Sequence, residues 1–217
     1  MTPPVRILLG DDHPLILDGI RTLLAARYDI VGTAQDGRAI VEAAERLQPD
    51  IVVLDVSMPV LNGIDAARQI RQARPDMIIV FLTMHASPMY LRRALDTGAV
   101  GYVLKTGAAE ELLTALDHAR HGRVYISPEF GPDVIESFRT PTGKPTKSAT
   151  ALTDRQRQIL QLVAEGRQNK EMAKVLGVSV KTVEFHRGRL MAKLNARSVA
   201  ELTRYAVQEG LIDPAAS

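Results

Sequence analysis

The sequence predicts an α/β fold, a doubly wound five-stranded parallel sheet, followed by a small all-α domain of four helices. Three observations lead there. Residues 5–10, 51–54, 77–82 and 99–104 form apolar runs with little alternation, the pattern of strands covered on both faces. Stretches of helical spacing separate these runs, and parallel strands need such crossovers. The last 67 residues contain no strand-like run and four helix-like ones.

Taken in order, Val5-Arg6-Ile7-Leu8-Leu9-Gly10 is the first strand. Pro14 then sits where a helix can begin, and Leu15, Leu17, Ile20, Leu23 and Leu24 recur at helical spacing. A short strand near Ile30-Val31-Gly32 precedes a helix over 39–47, stopped by Pro49. Ile51-Val52-Val53-Leu54 is the third strand. Asn62 suits the cap of a helix carrying Ile64, Ala67 and Ile70, which ends before Pro75. The fourth strand, 77–82, is followed by a helix opened by Pro88 over 90–96. The fifth, 99–104, is followed by a helix from about Ala108 to His121 with Leu112, Leu113, Leu116 and Ala119 inward.

The strand ends carry the chemistry. Asp11 and Asp12 follow the first strand, Asp55 the third, Thr83 the fourth and Lys105 the fifth. In an open α/β sheet these carboxyl ends share one ligand-binding edge. Three carboxylates at close quarters need a cation, and an all-oxygen pocket suits a hard divalent ion, Mg²⁺ first. Lys105 and Thr83 would face any anion held there. The chemistry that fits is phosphoryl transfer onto the Asp55 carboxylate.

Asp11-Asp12-His13, Asp55 with Met58-Pro59 and Asn62-Gly63, Thr83, and Gly101-Tyr102-Val103-Leu104-Lys105 resemble, in order and spacing, the receiver domain of two-component response regulators over roughly residues 4–122. The resemblance implies that Asp55 accepts a phosphoryl group from a sensor histidine kinase. It further implies that Asp12, Asp55 and the Ser57 backbone carbonyl ligate Mg²⁺ with Asp11 helping through water, and that Thr83 and Tyr102 form a switch pair. His13, before Pro14, reads as a capping or surface residue. Ser57 and His85 stand two residues past Asp55 and Thr83, where receivers tune the lifetime of the phosphoryl group.

Composition bounds the alternatives. The 217 residues are 46% hydrophobic and 4% aromatic, an ordinary α-rich mixture for one or two domains. With no Cys, disulfides, thiolate metal sites and Cys nucleophiles are excluded. No run of 18 apolar residues occurs and the start lacks a basic, then apolar, leader pattern, so the expected compartment is the cytoplasm. The net charge of +2 is unevenly spread: residues 151–217 hold 11 Lys+Arg against 7 Asp+Glu, whereas residues 1–125 hold 13 against 15. The basic end is the one suited to nucleic acid.

Pro128, Pro132, Pro141 and Pro145 mark a change of composition, and residues 139–150 contain no Leu, Ile, Val or aromatic residue. Such a stretch buries too little to offset its ordering entropy and reads as a linker, with a short helix over 132–138 before it. The expected division is 1–126, linker 127–150, and 151–217. In the last part Thr153 and Gln156 form a capping-box start for a helix ended by Gly166. Asn169 starts a short helix up to Leu176, Gly177-Val178 turns the chain, and Ser179 caps a longer helix with Val183, Leu190 and Leu194 inward. Ser198 caps a fourth carrying Val199, Leu202 and Ala206. A short helix, a Gly turn and a longer capped helix make a helix-turn-helix.

Leu152-Thr153-Asp154-Arg155, Ala164-Glu165-Gly166, Asn169-Lys170-Glu171-Met172-Ala173, Ser179-Val180-Lys181-Thr182-Val183, His186-Arg187 and Lys193-Leu194 resemble the DNA-binding domain of NarL/FixJ-type (LuxR-like) regulators. Gln156 departs from the family's usual Glu. Opposite the buried stripe, Lys181, Glu184, Phe185, Gly188 and Ala192 share one face. Glu184 suits a cytosine amine, Phe185 a thymine methyl, and Gly188 close approach. Lys181, Thr182, His186, Arg189 and Lys193 suit phosphate contacts.

The combined expectation is a DNA-binding transcriptional response regulator, activated by Mg²⁺-dependent phosphorylation of Asp55. Its partners are a sensor histidine kinase, double-stranded DNA and a second copy of the chain, with no membrane. It is not an enzyme beyond its own phosphorylation and dephosphorylation. Two other readings use the same residues: an Asp-nucleophile phosphatase or phosphotransferase, and a DNA-binding regulator independent of phosphorylation.

Overall fold

The computed structural model describes residues 4–107, 109–139 and 152–213. The chain forms two compact units. In the first, β1 (Arg6–Gly10), α1 (Pro14–Leu24), β2 (Asp29–Ala34), α2 (Gly37–Leu47), β3 (Ile51–Leu54), α3 (Gly63–Ala73), β4 (Ile78–Thr83), α4 (Pro88–Leu95), β5 (Gly101–Leu104), α5 (Ala109–Arg120) and β6 (Tyr125–Ile126) alternate. A 3-10 turn over Pro128–Phe130 and α6 (Pro132–Arg139) follow.

The strands lie in the order β2-β1-β3-β4-β5-β6, all parallel. The sheet has six strands where five were expected. The sixth is two residues long and pairs with Gly101 and Tyr102, too short to carry a periodic signal. Chain order reverses between β1 and β3, which register Gly10 beside Leu54. That reversal opens the crevice in which doubly wound sheets bind ligands, and Asp11 and Asp55 are the next residues of the two strands.

Alternation along the buried strands serves both faces. Ile7, Leu9, Ile51, Val53, Val80, Leu82 and Val103 pack with Leu17, Leu24, Leu112, Ala115, Leu116 and Ala119 of α1 and α5. The intervening residues Leu8, Val52, Leu54, Ile79, Phe81 and Tyr102 are also buried. Leu15, grouped by helical spacing with Leu17, Ile20, Leu23 and Leu24, is 86% exposed. It stands two residues before buried Leu17, about 200° around the helix, and so on the opposite face.

Asp36 starts α2, its side chain accepting from the amides of Arg38 and Ala39, and Ser87 caps α4. Ala108, the expected first residue of the fifth helix, lies outside the described residues, as do residues 140–150 of the expected linker and residue 151, the expected start of the last part. Residues 127–139 of that linker are the 3-10 turn and α6.

The second unit contains α7 (Asp154–Ala164), α8 (Asn169–Leu176), α9 (Val180–Leu194) and α10 (Val199–Gln208). The capping box forms in both directions between Thr153 and Gln156. Gly166 and Gly177 end α7 and α8 with positive φ. Arg155 donates to the terminal carbonyl of Leu176, and Ser179 and Ser198 cap α9 and α10. Ile159, Leu160, Leu162, Val163, Met172, Val183, Leu190, Leu202 and Ala206 make the core. Val199, which shares helical spacing with Leu202 and Ala206, is 45% exposed. As the first residue of its helix, it lies beyond the packed turns of Leu202 and Ala206.

Gly63 carries a packing constraint that positions the site. A Cβ there would lie 1.8 Å from the carbonyl oxygen of Asp55, and its amide donates to Val56. Gly63→Ala should therefore cost about 1–3 kcal/mol by overpacking against backbone. The measurement is the urea midpoint at unchanged m-value; a parental midpoint would show that the loop after β3 yields.

Candidate functional site

The carboxyl edge of the sheet brings Asp11, Asp55 and Lys105 together. The Lys105 ammonium lies 2.6 Å from a carboxylate oxygen of each aspartate. Asp11 and Asp55 are 1% and 5% exposed, and the lysine side chain is 8% exposed. Backbone pairing fixes all three: Asp55 N–H donates to the Gly10 carbonyl, Asp11 to Ala34, and Lys105 to Thr83. Burial alone would lower the pKa of Lys105, but Asp55 and Asp11 outweigh it and hold the ammonium above the ordinary 10.5. Its stabilising charge is therefore present through the neutral range and lost only as pH rises through that elevated value.

Asp12 is more open and pairs with His13 Nδ1 at 2.7 Å, while the same nitrogen lies 3.3 Å from Asp11. Asp11, Asp12 and His13 offer ligand atoms that all lie within 4.8 Å of one another. His13 thus belongs to the acidic cluster, beyond the capping role expected of it. The other oxygen of Asp55 accepts from the Ser57 amide at 3.3 Å. With one ammonium facing two buried carboxylates, and a third carboxylate adjoining, the donor set is oxygen-rich and fits a hard divalent cation.

Thr83 and Tyr102 converge on His85. The His85 amide donates to Thr83 Oγ1 at 3.4 Å, and the Tyr102 hydroxyl donates to the His85 carbonyl at 2.8 Å. Ser57 Oγ and His85 Nε2 are 2.6 Å apart, and the His85 ring stacks on Tyr90. Tyr102 is fully buried, tilted against Phe81 and edge-on to Phe130. Burial first, then the Asp55 carboxylate and Tyr90, pushes its hydroxyl pKa far up, so it stays a donor. Phe130 was missed from sequence because it falls in a stretch read as linker.

In the second unit, α9 presents Lys181, Glu184, Phe185, Gly188, Arg189 and Lys193 to solvent, with Thr182 and His186 half-buried. Phe185 is 58% exposed, with the Arg189 guanidinium 5.6 Å from its ring centroid and His186 at its edge. Thr182 Oγ1 lies 2.8 Å from Ser179 Oγ in the helix cap. Asn169, at the start of α8, accepts from Arg187 and donates to Glu184 at the 3.5 Å limit. Sequence reasoning missed this link, since Asn169 and Glu184 lie on different helices. A cross-helix pair leaves no periodic mark.

Comparison with known proteins agrees with this geometry. The response regulator receiver domain model matches residues 7–117, and that of bacterial regulatory proteins of the luxR family matches residues 150–206. The transcriptional regulatory protein MctR of Rhizobium johnstonii is 36% identical over 97% of this chain and 96% of its own. The oxygen regulatory protein NreC of Staphylococcus carnosus is 37% identical over 96% and 100%. Among solved structures, the RcsB response regulator of Salmonella typhimurium matches with a TM-score of 0.60 at 28% identity, over 96% of this chain and 99% of that one. An RcsB–DNA complex matches at 0.58 and 29%, over 95% and 99%, and so do two RcsB dimers bound to two parallel DNAs, at 0.58 and 28% over the same shares. The chain belongs to the transcriptional response regulators that join a receiver domain to a DNA-binding domain of the luxR family.

Proposed function

We propose that Asp55 is the phosphoacceptor and that its phosphorylation by a sensor histidine kinase governs DNA binding by the C-terminal domain. The observation that carries this reading is the buried Lys105 ammonium held 2.6 Å from both Asp11 and Asp55. In the transfer, a carboxylate oxygen of Asp55 forms a bond to phosphorus as the P–N bond of a phosphohistidine breaks, the imidazole leaving with the electron pair and taking up a proton. Lys105 then neutralises phosphoryl oxygens, and Thr83 lies at the neighbouring strand end to accept contact with them. Asp11, Asp12, Asp55 and the Ser57 carbonyl would hold Mg²⁺. When bound, the ion supplies positive charge against the phosphoryl oxygens. The protein turns over no free substrate beyond its own acyl phosphate.

The added phosphoryl charge of about −1.5 to −2 biases the receiver between two packings, with Thr83 and Tyr102 as the pair that responds. The proposed parts are a receiver over 1–126, a connecting segment over 127–150 and a DNA-binding domain over 151–217. Among the described residues no helix is long and apolar enough to cross a membrane, consistent with work in the cytoplasm. On DNA, α9 enters the major groove as the recognition helix. Glu184, Phe185 and Gly188 face base edges, and Lys181, Thr182, His186, Arg189 and Lys193 face phosphates. Two copies bind a two-fold-related site; a solved relative shows RcsB dimers bound to DNA. On α10 such a contact uses exposed Val199 and half-buried Tyr205, since Leu202 and Ala206 are fully buried in their own core.

Acetyl phosphate should label the protein only with Mg²⁺ present, and Asp55→Asn should abolish the label. Equal labelling of the Asn variant places the phosphoacceptor elsewhere. On DNA, Lys181→Ala should weaken binding to every sequence and reduce the salt slope by roughly one unit. Glu184→Ala should relax preference at one symmetric pair of positions by roughly 1–3 kcal/mol per contact. Binding titrations at several salt concentrations read the first effect and selection from a random DNA pool the second; an unaltered salt slope removes Lys181 from the phosphate-contacting set, and an unaltered preference removes Glu184 from the base-reading set.

A further inference from the structure

The end of β5 is held from the side of β6 by a side chain. Ser127 N–H donates to the Tyr102 carbonyl at 2.9 Å, and there the ladder of main-chain bonds between the two strands stops. The next donor on β5 is Leu104 N–H, buried and one residue before Lys105. Its partner is Ser127 Oγ at 2.9 Å. The Ser127 hydroxyl in turn donates to Glu111 Oε2 at 2.6 Å, which fixes the direction of its lone pairs. Ser127 is fully buried.

A hydroxyl thus supplies the rung that the short strand cannot. Glu111 is also engaged by the Tyr125 hydroxyl, whose pKa is raised by burial and by that carboxylate. On the other edge of β5, Lys105 N–H donates to the Thr83 carbonyl at 2.8 Å. The two peptide groups that aim the Lys105 side chain are therefore pinned from both sides, one by the neighbouring strand and one by Ser127. Loss of Oγ would leave a buried amide without a partner, and the chain at Leu104 would shift to satisfy it.

We propose that Ser127 is a positioning residue for phosphoryl transfer: through the Leu104 amide, and with Glu111 orienting it, it holds Lys105 within reach of Asp11 and Asp55. This rests on the reading of Asp55 as phosphoacceptor. The start of the segment leading out of the receiver into α6 is thereby part of the phosphorylation machinery. Coupling of this kind is reciprocal. A change that moves Lys105 must be felt at residues 127–130, where Thr106 also bonds Glu129 and Phe130 meets Tyr102.

The test uses the full chain, acetyl phosphate as donor and saturating Mg²⁺, with Mg²⁺ affinity measured separately by calorimetry. Ser127→Ala should slow labelling of Asp55 roughly tenfold, the lower end of the loss seen when a supporting outer-shell hydrogen-bond partner is removed, while leaving Mg²⁺ affinity close to that of the parent. Glu111→Ala, which keeps every backbone donor partnered, should slow it in the same direction by less, and serves if Ser127→Ala does not fold. Labelling at the parental rate in both folded variants overturns the proposal. So does a parallel loss of Mg²⁺ affinity, which would mark a general loosening of the crevice. Failure of the phosphoacceptor reading gives a different result, with parent and Asp55→Asn labelled alike.

Discussion

The first unit is arranged around one ammonium between two buried carboxylates. Two carboxylates held this close repel each other, the Lys105 ammonium between them offsets that repulsion, and the topology brings this cation from a distance. Asp55 follows β3 and Lys105 follows β5, with β4 between them, so about 10 Å of sheet separates the two strand axes at ordinary spacing. The intervening strand must end in a small side chain if the pair is to meet above it, and it ends in Thr83, fully buried. Lysine suits the task because its long apolar stem lies along the sheet edge while a compact charge sits at the tip.

Much of this was legible in the sequence because it follows from period and punctuation. Runs such as Ile51–Leu54 are buried on both faces, so continuous apolarity marked them, and the residue after each run is where the chemistry lies. The spacing that groups Leu15 with Leu17 does not say which of the two faces inward, because the phase of a helix is fixed only by what it packs against. Strand β6 was invisible for a different reason. Its hold on β5 is continued by Ser127 Oγ, and a side chain standing in for a main-chain rung leaves no pattern of apolar residues.

The helical unit shows the same division. Caps and glycine stops were readable one by one, since Thr153, Ser179 and Ser198 each accept the hydrogen bond that their position suggests. The partners of the exposed face of α9 were not. Its basic residues were identifiable by phase alone, but the contact of Glu184 with Asn169 and the placement of Arg189 over Phe185 depend on rotamers and on a second helix. Phe185, placed by phase on the face opposite the buried stripe, is indeed exposed.

The capping box at Thr153 has a glutamine where a carboxylate is usual in proteins of this kind. Gln156 Oε1 accepts from the Thr153 amide at 3.1 Å, the same bond that a glutamate would make. An amide has no proton to gain, so acidification that would neutralise a glutamate leaves this bond intact. Nor is it weakened as mobile ions accumulate around a surface charge. The side-chain lock on the first turn of α7 is therefore electrically neutral, and its strength is set by geometry and temperature rather than by the ionic composition of the surrounding solution.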